Sequence, residues 1–442
     1  MNLDALGTGR SLVLGFGREG RALERAVLAR GIEARVEVLC DRMPDIPPQG
    51  WPLVVGSLEA VAERPDRVLR SPGVPCAHPV LRRWCAAGVE VTCISSLWFG
   101  ERPGARVVAI TGSKGKSTTA ALVAHMLSAA GREVELGGNI GVPMLDLLEA
   151  RPDWFVVELS SYQLADLRGH ASIGAITRLF PEHQDWHRGV EPYYAAKLRL
   201  VELLGGDPLW INGADPVLAR AVAEQPGVRR INVRGGISVA ENGIRLGERL
   251  VLSADDSPLP GRHNLDNIAL ALAVVTSVTG DLPGACASLA SFRPLPHRLE
   301  RVPVELPQPW INDSISTTPY ATLAALQATD GPVVLIVGGL ERGTDWSMIA
   351  DHCRAHRLAG LVGLPDNGAS ICRELTAMGA VDPAHAVTVA GMPEAVARAR
   401  NLCRESASVL LSPGAPSFPH FRDFEQRGNA FIAAVRELKR SE

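Results

Sequence analysis

Val107-Val108-Ala109-Ile110-Thr111-Gly112-Ser113-Lys114-Gly115-Lys116-Ser117-Thr118-Thr119 is an apolar strand run into a glycine-rich turn, a lysine and then hydroxyls. The helical-looking Ala120-Ala121-Leu122-Val123-Ala124-His125-Met126-Leu127 follows directly. This is the recipe for a phosphate cradle. Glycines let backbone N–H groups approach phosphate oxygens, and a helix N-terminus adds a positive dipole. Lys116 can neutralise β- and γ-phosphate oxygens, and the Ser117 hydroxyl can hold Mg²⁺. Two residues separate Gly112 from Gly115, fewer than in the common phosphate loop. An ordinary glycine-rich strand–helix turn does not account for Gly-Lys-Ser placed where a helix starts.

The composition agrees with a soluble globular protein. At 442 residues the chain is too long for one core, and roughly two to four domains are expected. Apolar residues make up 46% and the formal net charge is -3, with no long Lys/Arg run, so no nucleic-acid partner is expected. Hydrophobic runs are strand-sized, and Met1-Asn2-Leu3-Asp4 opens without a basic and then apolar leader; neither a membrane association nor export is expected. The eight cysteines form no Cys-x-x-Cys pair and read as thiols of a cytoplasmic protein, not a zinc site.

Upstream, Ser11–Leu14 reads as a strand, followed by Gly15-Phe16-Gly17-Arg18-Glu19-Gly20, a helix to about Arg30 and a second strand near Val36–Leu39. With Asp41 after it, this matches the dinucleotide fingerprint. The pattern fits NAD, and equally any nucleotide diphosphate seated on a helix N-terminus. Two short strands, Leu53–Gly56 and Arg67–Arg70, and the turn Ser71-Pro72-Gly73 complete a unit that ends near Gly104.

Downstream, Gly137-Gly138-Asn139-Ile140-Gly141-Val142-Pro143 reads as a loop, and Trp154 to Gln163 as a buried strand carrying Glu158. A carboxylate there, after a phosphate loop, is where an Mg²⁺ ligand belongs, though it also fits a capped strand end. Ala175–Phe180 reads as a strand leading into the polar run Pro181-Glu182-His183-Gln184-Asp185-Trp186-His187, then a helix bearing Lys197. Asn264 and Asn267, one helical turn apart, precede a helix from Ile268 to about Val278; they fit one ligand or an N-cap pair. Pro294–Glu300 reads as a linker. Strands near Val333–Val337, Gly360–Gly363 and Ser408–Leu411 then run into Gly/Ser loops, the pattern of another parallel sheet. The fold class is therefore α/β with three domains: a Rossmann-like unit at 1–104, a phosphate-loop mononucleotide-binding unit at 105–298 and a C-terminal Rossmann-like unit at 299–442.

Together these motifs resemble the Mur ligases, the ATP-dependent amide ligases of peptidoglycan precursor synthesis, over nearly the whole chain. The marks are Thr111–Thr118, Gly138–Gly141, Glu158–Leu164, His183 through Lys197, Leu295-Pro296-His297-Arg298, Asn312-Asp313-Ser314 and Phe424–Asn429. The nearest branch adds glutamate to UDP-N-acetylmuramoyl-L-alanine. The resemblance implies that Gly17, Arg18, Glu19, Ser71, Pro72 and Gly73 hold the uridine diphosphate, with Asn139 near the muramoyl group. Glu19 stands where a hydroxyl is common. It implies ATP contacts from Gly112, Ser113, Lys114, Gly115, Lys116, Ser117, Thr118, Asn264, Asn267, Arg298 and Asp313. It implies two Mg²⁺ sites using Ser117, Glu158, His183 and a carbamylated Lys197, with Lys116, Lys197 and His183 as the catalytic set. A monomer is expected.

The departures lie in the amino-acid pocket. Ile315 replaces a lysine, in Asp313-Ser314-Ile315-Ser316-Thr317-Thr318, and Arg342 matches a second lysine. Thr317, Ser417 and Phe424 still match glutamate contacts. Arginine binds carboxylates by a planar fork, so the glutamate is held differently. The reading favours the branch that adds L-glutamate; D-glutamate is the alternative. An NAD-dependent oxidoreductase would explain only residues 11–41, and a nucleotide-dependent regulator would leave Glu158, His183 and Lys197 without a purpose.

Overall fold

The computed structural model describes all residues except 45, 62, 342, 404–406, 441 and 442. The first sheet is wholly parallel, formed by β1 (Arg10–Leu14), β2 (Arg35–Cys40), β3 (Leu53–Val55), β4 (Arg67–Arg70) and β5 (Glu90–Cys93), in the order β3-β2-β1-β4-β5. That order reverses direction at β1, and the helix Arg18–Ala29 begins directly above it. Ligands of such sheets bind at the carboxyl ends of the strands flanking the reversal.

The second sheet is also parallel: β6 (Val107–Thr111), β7 (Val134–Gly138), β8 (Trp154–Glu158), β9 (Ile173–Ile176), β10 (Leu209–Asn212) and β11 (Val228–Ile231), ordered β11-β10-β9-β6-β8-β7. All five residues of β6 are buried, as a central parallel strand covered on both faces requires. The loops leaving β6, β8 and β9 therefore emerge side by side. A small antiparallel sheet, β12 (Ile237–Ala240), β13 (Gly243–Leu246) and β14 (Arg249–Ser253), follows. These three sheets make one compact unit, residues 1–257 with 265–292.

The second unit, residues 258–264 with 293–442, holds the remaining sheet. Its strands are β15 (Glu300–Arg301), β16 (Trp310–Asn312), β17 (Val333–Val337), β18 (Gly360–Gly363), β19 (Ala386–Thr388) and β20 (Ser408–Leu411), ordered β15-β16-β20-β17-β18-β19 with only β15 antiparallel. Its core forms two layers, one on each face of β17 and β20: Val334 and Ile336 point one way, Leu335 and Val337 the other.

Several boundaries differ from the sequence reading. Strand β8 stops at Glu158 instead of continuing to Gln163, because Ser160 and Gln163 form a reciprocal capping box that turns Ser161–Leu164 into helix. Strand β9 stops at Ile176, because the next residues bond to the phosphate loop: Thr177 Oγ1 donates to Lys114 O at 2.5 Å and Arg178 O accepts from Ser113 N at 2.7 Å. The helix expected from Ile268 begins at Arg262, so Asn264 and Asn267 lie inside it. Gly137-Gly138 ends β7, and β5, β16 and β19 were not foreseen.

Candidate active site

The loop after β6 is shaped by its glycines. Gly112 has φ 141°, and a Cβ there would stand 1.9 Å from Thr177 Oγ1. Gly115 has φ 88°, and its Cβ would meet Asn267 Oδ1 at 2.3 Å. Neither position admits a side chain, so the backbone itself lines the cradle. Ser113 is a hub below it: its Oγ accepts from Tyr193 Oη at 2.9 Å and from Phe180 N at 3.0 Å, and donates to Phe180 O. The helix Lys116–Ala129 starts immediately after, with Ser117 buried in its first turn.

Charged groups converge on this loop. Lys116 Nζ donates to Ser113 O at 2.9 Å. Lys114 Nζ stands 3.1 Å from Glu182 Oε1. Burial opposes the charge of Glu182, but Lys114, Lys116 and His183 outweigh it and hold its carboxyl below the usual carboxylate range. Lys197, on the helix Val190–Leu204, is fully buried and donates to Gly112 O at 2.6 Å. Burial drives its amine well below the ordinary lysine value, and the positive charges of Lys116 and Lys114 push the same way. The neutral amine so favoured is the form that reacts with carbon dioxide.

At the end of β8, Glu158 Oε1 accepts from Asn139 Nδ2 at 2.8 Å, while Oε2 is buried with no hydrogen-bond partner. An ionised oxygen in that state is costly unless a cation satisfies it. The residues present therefore fit Mg²⁺, a hard cation that takes oxygen ligands, with Ser117 adding a hydroxyl in the first turn of the helix after the loop. His183 sits in the left-handed region at φ 51° and ψ 34°, an uncommon conformation for a non-glycine residue. Burial depresses its imidazole to about 4 against the opposing charge of Glu182, with Lys114 and Lys116 adding to the effect, which favours a neutral ring with a lone pair to donate.

Beside this centre lies a cavity of about 900 Å³ over the carboxyl ends of the first sheet, lined by Gly17, Arg18, Glu19, Ser71, Pro72, Gly73 and Asn139 among others. Ser71 Oγ donates to Gly15 O at 2.8 Å, tying its two principal loops together. Trp186 Nε1 donates to Gly73 O at 3.1 Å and stacks on Tyr162, 4.6 Å between ring centroids. All seven residues expected to hold the UDP-substrate thus surround one cavity.

That cavity is braced by a pair the sequence reading missed. Arg70 is fully buried, donates to both carboxylate oxygens of Asp166 (2.9 and 2.5 Å), and also bonds Val74 O and Tyr162 O at 2.7 Å each. Removing one partner of such a pair strands the other charge, so Arg70→Ala is expected to cost about 3–5 kcal/mol of stability. Chemical denaturation checks this: an unchanged unfolding midpoint would show that the pair is not a brace. Glu182 and Tyr193 carry no sequence signal of their own; the polar density after β9 marks only their neighbourhood.

In the second unit, Asp313 is buried and accepts from Ser316 Oγ and Ser412 Oγ; burial raises its carboxyl to about 6 against the pull of those hydroxyls. Arg427 is buried and clamps three loops, donating to Ser314 O at 2.8 Å, Ala415 O at 2.9 Å and Gly338 O at 3.4 Å. Ser314 Oγ donates to Phe424 O at 2.8 Å. Ser417 is buried and Thr317 half-buried on the loops so held. Asn264 donates to Pro260 O at 2.7 Å, Arg298 is half-buried after the left-handed His297, and Arg342 lies outside the described residues.

A glycine cradle opening a helix, ringed by lysines and buried carboxylates, defines a nucleotide-dependent enzyme that handles phosphate. The Mur ligase middle domain matches residues 110–275. A UDP-N-acetylmuramoyl-L-alanine–L-glutamate ligase of Micromonospora sp. is 40% identical, with 96% of each chain covered. The enzyme of that name from Salinispora tropica is 39% identical over 99% of each. Among solved structures, MurF from Acinetobacter baumannii superposes with a TM-score of 0.63 at 17% identity, covering 99% of this chain and 92% of that one, a likeness of fold. The chain belongs to the Mur ligase family.

Proposed function

We propose that the protein is an ATP-dependent ligase that adds L-glutamate to UDP-N-acetylmuramoyl-L-alanine. The observation that carries this reading is the grouping of Lys116, Lys197, Glu182 and the unpartnered Glu158 oxygen around one phosphate loop, next to a cavity of about 900 Å³ on a helix N-terminus. Residues 1–104 would serve the UDP group, 105–298 the ATP phosphates and 299–442 the amino acid.

The reaction has two steps. The alanine carboxylate attacks the γ-phosphorus of ATP, the bond to the β-γ bridging oxygen breaks, and ADP leaves. The glutamate amine then attacks the acyl carbon of the acyl phosphate, loses a proton and expels inorganic phosphate. A free carboxylate is a poor electrophile, and phosphorylation supplies its leaving group. Backbone N–H groups of the loop beyond Ser113 would hold the phosphates, and Lys116 offsets charge as it builds on the transferred group. Glu158, Ser117, His183 and Lys197 as its carbamate would hold Mg²⁺, which supplies charge neutralisation on the phosphate oxygens when bound. Lys114, in the same loop, is paired with Glu182 at 3.1 Å.

The choice of isomer rests on two supports. The relatives of about 40% identity bear the L-glutamate name. Ile315, half-buried and anchored by its N–H to His297 O at 3.2 Å, offers no charge where the family commonly places a cation. The enantiomers share every group, so discrimination depends on where both carboxylates and the amine are held together. Misplacing one carboxylate costs roughly 1–3 kcal/mol, so a preference of about 5-fold or more in kcat/KM for L-glutamate is expected. Phosphate release with each isomer under saturating ATP tests it. A ratio favouring D-glutamate would mean that the pocket re-anchors the usual family substrate.

A further inference from the structure

Glu19 sits in the first turn of the helix Arg18–Ala29, in the wall of the cavity described above. Its carboxylate turns inward, away from solvent, and both oxygens meet neutral donors. Gln163 Nε2 donates to Oε1 at 2.7 Å, and Ser95 Oγ lies 3.3 Å from Oε2. The orientation of the Gln163 amide is fixed, because its Oε1 accepts from both Ser160 N and Ser160 Oγ at 2.9 Å. Gln163 must therefore present N–H to Glu19. Ser95 is different: a hydroxyl donates to an ionised carboxylate and, by rotating, accepts from a protonated one. The surroundings of Glu19 satisfy the carboxyl in either protonation state.

The same helix N-terminus is where a diphosphate would bind, drawn by exposed N–H groups and the helix dipole. An ionised Glu19 in the first turn of this helix would then place a negative charge beside the bound diphosphate. The titratable groups that face Glu19 are Arg70 from β4, Asp166 beyond the helix Ser161–Leu164, and the neutral Cys93 thiol at the end of β5. Arg70 is already committed to Asp166 in a two-point ion pair. Arg18 shares the cavity wall on Glu19's own helix.

We propose that Glu19 takes up a proton when a nucleoside diphosphate group enters this cavity, so that capture of the UDP-linked substrate is tuned by pH. This rests on the uridine-diphosphate reading of the cavity. The unliganded carboxyl is poised for it: burial raises Glu19 to about 7, against the lowering effects of Gln163, Ser95 and Arg70. The sign follows. A bound anion raises the carboxyl further, so binding consumes a proton at and above neutrality, and affinity falls as pH rises, by at most about tenfold per pH unit.

Calorimetric titration of the full chain with UDP-N-acetylmuramoyl-L-alanine, near pH 7.5 in two buffers of different ionisation enthalpy, counts the protons taken up. The parent is expected to take up more protons than Glu19→Gln and Glu19→Ser, both of which should bind with flatter pH dependence and more tightly than the parent near pH 8.5. The two variants also subtract any uptake that does not depend on Glu19. Equal uptake in all three proteins overturns the proposal. If a variant does not fold, as judged by its melting transition, the parent alone decides: an affinity constant between about pH 6.5 and 8.5 overturns it. Failure of the parent to bind the ligand at all would instead overturn the uridine-diphosphate reading beneath it.

Discussion

Lys116→Ala is expected to lower kcat by about a thousandfold, with the melting temperature close to the parent's. Lys116 is half-buried at the start of the helix Lys116–Ala129, and its amine reaches back to the carbonyl of Ser113 in the loop itself. The loop's shape does not depend on that contact. Gly112 and Gly115 are fixed by close approach to Thr177 and Asn267, and Ser113 is bonded on three sides. The alanine variant therefore removes charge from the phosphate site with little effect on the scaffold. Removing one preorganised donor to developing charge commonly costs about 10²–10³ in kcat, and here a full positive charge goes with it. Turnover within about threefold of the parent would remove Lys116 from the phosphoryl-transfer step.

The second large effect is expected at Lys197. Lys197→Ala should lose at least about a hundredfold in kcat, and added formate or acetate should restore part of it. A fully buried lysine beside Lys116 and Lys114 is unfavourable as a cation, and burial shifts its amine toward the neutral, nucleophilic form. Carbamylation would convert it to an anion suited to Mg²⁺ and to its cationic neighbours. A small carboxylate diffusing into the space left by the side chain would stand in for that anion. Rescue separates this role from simple packing, since formate cannot repair a damaged core. Full activity of the variant without additive would rule the role out. Intact-protein mass spectrometry under bicarbonate gives an independent reading of the modification.

The phosphate loop was legible because its chemistry is local. Its glycines, lysine and helix start lie within a few residues of one another, and the structure bears out the strand–loop–helix order. The first sheet was legible for the same reason, through the turn after β1. What escaped was long-range. Arg70 and Asp166 are 96 residues apart, and Glu19 and Gln163 are 144 apart, so nothing in either segment announces the partner. Glu182 was hidden differently: a carboxylate on a polar stretch reads as solvated until the fold buries it against Lys114. The strand ends failed where side chains rewired the backbone, as Ser160 with Gln163 did after β8 and Thr177 did after β9. Short strands such as β16 and β19 carry too few residues for periodicity to show.

One isotope experiment bears on the whole scheme. UDP-N-acetylmuramoyl-L-alanine carrying a heavy oxygen isotope in its alanine carboxylate is incubated with the protein, ATP, Mg²⁺ and L-glutamate, and the released phosphate is analysed by mass spectrometry. Transfer of one carboxylate oxygen to phosphate, with ADP and the glutamyl product formed in equal amounts, is the expected result. Unlabelled phosphate, or release of AMP and pyrophosphate, would contradict an acyl-phosphate ligase.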